Sequence, residues 1–243
     1  MADVEKGQMA TPTAAAPAVN ASNGEHPFNH ATFDASFARQ AAIQGLGIRK
    51  IANPGPLGLY AFALTTFVLS LYNVQARHIA HPNVVVGLAV AMGGLSQLLA
   101  GQWEFVAGNT FGATAFTSYG AFWISYALIL IPGSGIGAAY PSMTEFDNAV
   151  GIYLMAWFII TFLFFIASLR THLAFNLLFG FLFVTFLLLG AGSLTGSSAV
   201  TKAGGAFGIV TAMVAFYTGS SILFTREDSG LYLPRGFYHT NNL

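Results

Sequence analysis

Between residues 51 and 225 the chain carries only six charged side chains: Arg77, Glu104, Glu145, Asp147, Arg170 and Lys202. Six long apolar stretches lie among them. Each approaches the ~20 residues a helix needs to cross a hydrocarbon layer about 30 Å thick. Soluble domains hold about 25% charged residues, and this chain holds 7%. So few ionic groups cannot cover a water-exposed surface of this size. The solvent for most of the molecule is therefore a lipid bilayer.

The stretches are approximately Pro56–Tyr72, Val84–Gly101, Phe111–Ile131, Ala149–Leu169, Leu173–Ala191 and Gly204–Phe224. They are continuously apolar rather than alternating, and in lipid a helix satisfies its own backbone hydrogen bonds. The predicted fold class is an all-α membrane protein, with six transmembrane helices per protomer and a disordered N-terminal tail. Residues 1–50 are rich in Ala, Pro, Thr and Asn, with too little apolar surface to offset the entropy of ordering. Residues 51–225 form the six-helix transmembrane domain, and residues 226–243 a short C-terminal tail. Pro132–Asn148 reads as a solvated connection holding Glu145 and Asp147, whereas Arg170–His172 forces a tight helical hairpin.

An even number of spans places both termini on one side. That side then collects Lys6, Arg39, Arg49, Lys50, Arg170, Arg226 and Arg235, against Arg77 and Lys202 opposite. The positive-inside rule makes the termini cytoplasmic.

Net charge is zero and cysteine is absent. Composition gives no sign of a nucleic-acid partner, and disulfides and thiolate chemistry are excluded. No nucleotide loop, zinc spacing or nucleophilic triad is legible in local motifs. The expectation is a protein that is not an enzyme and needs no cofactor or metal.

Small residues let membrane helices approach closely. Gly108–Gly112 and Gly204–Gly208 have GxxxG spacing, and Gly87, Ala91, Gly94 and Gly101 fall on one predicted face of the second span. Gly204, Gly208, Thr211, Ala215 and Thr218 do so on the sixth. Gln97 is an amide inside a span, and an unpaired amide in hydrocarbon costs several kcal/mol, so it faces protein or water. Thr65, Thr66 and Ser70, and Thr114, Ser118, Ala121 and Ser125, form polar stripes. Either they back-bond to their own helix carbonyls or they line a narrow, partly wet path. Asn53-Pro54-Gly55-Pro56 opens the first helix, with Asn53 able to cap it. The opening is a rigid start, an anion-attracting dipole end, or both. Glu104 is either an interfacial cap or ion pair near Arg170, or a proton-handling group.

The run NPGPLGL at 53–59 resembles the NPAPLGL signature of the acetate uptake transporter (GPR1/FUN34/YaaH) family, with Gly55 in place of alanine. Gly93-Gly94-Leu95-Ser96-Gln97, Ala100-Gly101, Glu104, Gly108-Asn109-Thr110-Phe111-Gly112 and the run Thr114–Trp123 resemble its second block. The resemblance spans about residues 50–225, and the long N-terminal tail is similar to that of fungal members. It implies a six-helix protomer assembled as a homo-hexamer in the plasma membrane. Acetate, and other short monocarboxylates, would be taken up with protons through a path in each protomer. It also implies a constriction of Phe62, Tyr119 and Leu182, polar neighbours Thr65 and Gln97, and a size-tuning position at Ala215. Two readings stand against this: a channel for a neutral solute such as ammonia or urea, and a non-transporting membrane sensor whose polar stripes serve assembly.

Overall fold

The structure is a computed structural model that describes residues 51–79, 81–226, 229–234 and 236. The reading of a disordered tail falls on residues 1–50 and lies outside them. All regular structure among the described residues is helical. Six helices are long and apolar enough to span a bilayer: α1 Gly55–Asn73, α2 Val85–Ala107, α3 Thr110–Leu130, α4 Met143–Ser168, α5 Leu173–Thr195 and α6 Ser198–Leu223.

The helices outrun the apolar stretches at their ends, because water-side turns are stabilised by caps rather than by hydrophobicity. Ser142 accepts from the Glu145 amide to start α4, so Glu145 and Asp147 lie in its first turns instead of in a loop. Both remain exposed. Ser197 accepts from Val200 to start α6. α2 continues to Ala107 and ends at Gly108, whose φ of 80° is the left-handed conformation that glycine adopts without strain. Gly108 is therefore a helix terminator, and the spacing Gly108–Gly112 is not a packing motif. α4 and α5 form the expected tight hairpin across 169–172.

The six helices stand in chain order around a ring. α1 packs on α6 and α2, α2 on α3, and α5 on both α4 and α6. Glycines set most of these approaches. A methyl group at Gly101 would lie 2.6 Å from the Thr117 backbone nitrogen, and one at Gly120 2.7 Å from that of Leu98. Gly151 and Gly190 admit α4 and α5 to each other at Leu194 and Met155. Gly204 and Gly208 meet Leu189 and Ser70, as their spacing suggests. We expect Gly120→Ala to force α2 and α3 apart, at about 1–3 kcal/mol for overpacking. A lowered unfolding temperature in detergent checks it.

The seam between α3 and α4 is different. Aromatic side chains fill it, with Phe122 against Tyr153 and Trp157. Three hydrogen bonds cross it, Tyr119 to Thr161 at 2.9 Å, Ser125 with Tyr153 at 2.7 Å and Tyr153 to the Phe122 carbonyl at 3.3 Å.

α2 contains a π-helical stretch, Ala91–Ser96, between α-helical Val85–Val90 and Gln97–Ala107. Its wider i→i+5 turns advance each residue by less than an α-helical step. The buried row therefore runs Val85, Ala89, Gly93, Gln97, Ala100, Glu104. Gly87 and Ala91 are exposed, so the predicted small-residue face of the second span breaks: only Gly94 and Gly101 of that set are buried. The Ser96 hydroxyl donates to the Ala91 carbonyl, consolidating the wide turn.

Candidate functional site

Two chambers penetrate the bundle from opposite ends and meet at Phe62, which lines both. The near chamber lies at the end carrying the start of α1 and the close of α6, with a volume of about 70 Å³. The far chamber has about 90 Å³. A buried water needs roughly 10–15 Å³ on this measure, so each holds several waters or one small solute.

A layer of rings separates them. Tyr119, 3% exposed, is its hub. The Tyr119 ring lies 5.7 Å from Phe62, 6.0 Å from Trp157 and 5.8 Å from Phe164, centroid to centroid. Phe179 and Phe186 both stack on it at 6.5 Å. Leu182 lies between those two on α5, at i+3 and i−4, which places it on the same helix face. It is buried and lines the far chamber, as Phe186 does, while Phe179 lines the near one. The residues Phe62, Tyr119 and Leu182 are thus brought together at the level where the chambers meet.

The near chamber has a polar cluster at its mouth. Asn53 Oδ1 accepts from the Gly55 amide at 2.9 Å, which caps the start of α1 as its position in the sequence suggests. Asn109 Oδ1 accepts from Gly112 at the start of α3, and Asn109 Nδ2 donates to Glu104 Oε2 at 2.8 Å. Glu104 is 4% exposed. Its hydrogen-bond partner is Asn109, and the ion pair with Arg170 is replaced by this contact. A methyl group at Gly55, as alanine would supply, would sit 3.0 Å from Asn53 Oδ1 and 3.4 Å from Glu104 Oε1. Glycine there leaves room beside the carboxylate.

Deeper in the same chamber, Gln97 is 1% exposed, and neither its Nε2 nor its Oε1 has a hydrogen-bond partner. An unmet amide of this kind costs about 1–3 kcal/mol. The π-helical stretch one turn earlier brings Gln97 onto the chamber wall, in phase with Gly93 and Glu104.

Thr65 and Ala215 occupy less direct places. Thr65 is fully buried and donates to the Ala61 carbonyl. It faces Gly93 of α2, where an added methyl would come within 2.8 Å of its hydroxyl, and it lines neither chamber. Ala215 is also fully buried and lines neither chamber. It sits on α6 between Gly208, which meets Ser70, and Gly219, which meets Leu59 and Tyr60. It therefore supports α1 from behind.

The polar stripe of α3 turns away from the path. Thr114 is exposed and back-bonds to Thr110, Ala121 is exposed, and Ser125 binds Tyr153. The path side of α3 is aromatic instead. In the first stripe, Thr66 and Ser70 do line the far chamber, where the Thr66 hydroxyl and the Trp123 indole nitrogen are buried without partners. Sequence reasoning did not single out Trp123, Asn109 or Thr161 for the site. Trp123 and Asn109 lay in motifs already noted, but nothing in the sequence places them against a cavity. Among the described residues, no group of three or more His, Cys, Asp or Glu side chains could hold a metal ion.

Comparison with known proteins places this arrangement. Residues 36–237 match the model of the GPR1/FUN34/yaaH family. The chain is 48% identical over 197 residues to acetate permease A of Emericella nidulans, covering 76% of this chain and 66% of the relative. It is 47% identical over 183 residues to ammonia transport outward protein 2 of Saccharomyces cerevisiae, covering 75% of this chain and 65% of the relative. The matched part thus spans just under two thirds of the length of these fungal relatives. The succinate-acetate/proton symporter SatP of Escherichia coli is 34% identical over 197 residues, with 80% of this chain and 100% of SatP covered. Among solved structures, that of the bacterial acetate channel SatP superposes with a TM-score of 0.69 at 35% identity, covering 77% of this chain and 100% of that one.

Proposed function

This chain belongs to the GPR1/FUN34/yaaH family, and from that premise we propose that it moves acetate and other short monocarboxylates across a membrane, linked to protons, through a path within each protomer. The observation that carries the reading is the pair of chambers meeting at Phe62, with the unpartnered Gln97 amide on the wall of the near one. A short carboxylic acid has a methyl group or short chain and a pair of oxygens. Apolar rings beside side-chain amide donors suit those two ends. The names of the acetate permease and of the bacterial symporter and channel support the same substrate.

Phe62, Tyr119 and Leu182 form the constriction, Gln97 and Asn53 guide the carboxylate, and Thr65 fixes α1 against α2. Ala215 sets the size of the path by holding Phe62's helix in place. A bare carboxylate pays heavily to cross dry rings, so the solute crosses protonated or with protons carried alongside. Glu104, at the near mouth, is the group on this path able to exchange a proton. We place the protein in the plasma membrane with cytoplasmic termini, as a homo-hexamer.

Purified protein in liposomes tests the reading. Labelled acetate should enter faster than into protein-free vesicles, and faster still with an inward proton gradient when voltage is clamped. Absence of protein-dependent uptake would sink it. In the same vesicles, Glu104→Gln should remove the stimulation by the gradient while exchange at equal pH continues. Undiminished stimulation would leave Glu104 a structural role only. A second reading, a path for ammonia, is favoured by the name of the yeast relative. Ammonium-driven alkalinisation of the lumen, unaffected by acetate and without acetate uptake, would decide for it.

A further inference from the structure

Four buried threonines of the bundle, Thr65, Thr185, Thr211 and Thr218, turn their hydroxyls back to the carbonyl four residues earlier. Such bonds satisfy a hydroxyl within its own helix. Thr161 does not follow them. It is fully buried, and its oxygen accepts the Tyr119 phenol across the α3–α4 seam at 2.9 Å. It is also the one polar side chain between Trp157 and Ser168, in the most apolar of the six helices, with mean hydropathy 2.4. A hydroxyl isolated in that setting, opposite the hub of the ring layer, has a specific consequence for the solute.

Thr161 lines neither chamber. By accepting from Tyr119 it draws the only polar atom of that ring off the path and into the seam. The faces presented at the constriction are then carbon throughout. Resting on the transport reading above, we infer that Thr161 is a positioning residue for selectivity: it withholds the Tyr119 hydroxyl from the solute, so that acids bearing a second polar group find no partner at the ring layer and are passed poorly. Valine at this position keeps the volume of threonine but offers no acceptor. The phenol then has no partner in the seam. A buried hydroxyl without a partner is costly, and the available partners are the water and solute of the chambers. A 2-hydroxy acid such as lactate would meet a donor where it now meets a ring.

The test compares labelled lactate with labelled acetate uptake into liposomes holding the full chain. The lactate-to-acetate ratio should rise about tenfold in Thr161→Val, the scale of one net hydrogen bond. Thr161→Ser, which restores an acceptor, should return the ratio to wild type. Tyr119→Phe keeps the ring without the hydroxyl and should leave the ratio low. The double variant Thr161→Val/Tyr119→Phe should behave as Tyr119→Phe alone. If Thr161→Val does not fold, Thr161→Ala takes its place in each arm. An unchanged ratio in the threonine variants overturns the inference. So does an equal rise in the presence and absence of the phenol hydroxyl, since Thr161 would then act only by loosening the packing. Wild-type vesicles that take up no acetate overturn the transport reading and this inference with it. Wild-type vesicles that take up acetate beside an unresponsive Thr161→Val overturn this inference alone.

Discussion

Gln97→Leu is expected to lower acetate uptake roughly 10- to 100-fold while making the protein no less stable. The first half follows from the amide's position. A hydrogen bond to a charged group contributes about 1.5–3 kcal/mol, and about 1.4 kcal/mol is a factor of ten. Gln97 is the buried amide on the near chamber's wall with both polar atoms unpaired, so a carboxylate loses that contact when leucine replaces it. The second half follows from the same vacancy. Removing an unsatisfied amide relieves its desolvation penalty, and leucine is close to glutamine in size. Initial rates across acetate concentrations, together with unfolding temperatures in detergent, check both halves. Loss of uptake with a large fall in stability would point to a packing role instead. A gain or a constant unfolding temperature with lost uptake marks a side chain kept for binding at the expense of folding.

Leu182→Val carries the second large effect. Leu182 lies on the α5 face between Phe179 and Phe186, the two rings stacked on Tyr119. Shortening it by one methylene widens the layer where the chambers meet without disturbing the hub. One methylene in an apolar site is worth about 1–3 kcal/mol, or 10- to 200-fold in discrimination. We expect propionate and butyrate to gain at least about tenfold relative to acetate, at the lower end of that range because neighbouring rings relax. Competition of each acid against labelled acetate in liposomes measures it. An unaltered order of acids would remove Leu182 from the constriction.

Much of this architecture was legible in the sequence because lipid makes the signal coarse. Six spans, the tight turn after α4 and the capping of α1 by Asn53 follow from hydropathy, length and the special chemistry of proline and asparagine. Phe62 and Tyr119 were reached through motif resemblance, not through physics, since a membrane phenylalanine faces lipid as readily as a path. The failures are equally specific. The faces assigned to α2 assumed a constant turn of the helix, and the π-helical stretch Ala91–Ser96 shifts the phase halfway along. No residue type announces such a stretch. The α3 stripe misled because a threonine that can back-bond, as Thr114 does, is at home on either side of a helix. Gly108 looked like a packing glycine because GxxxG spacing does not reveal that the helix has ended. Asn109 and Thr161 were invisible for another reason: each matters through a partner on a neighbouring helix, and no spacing along one chain encodes that meeting.

The convergence of two chambers on Phe62 also determines where a transmembrane voltage acts. Aqueous spaces that reach inward from both faces are electrically continuous with the bulk, so the potential falls mainly across the thin ring layer between them. A charged solute does nearly all its electrical work there, about 2.3 kcal/mol per elementary charge per 100 mV. A neutral acid does none. The slope of flux against voltage thus reports the net charge of whatever is crossing at that one level.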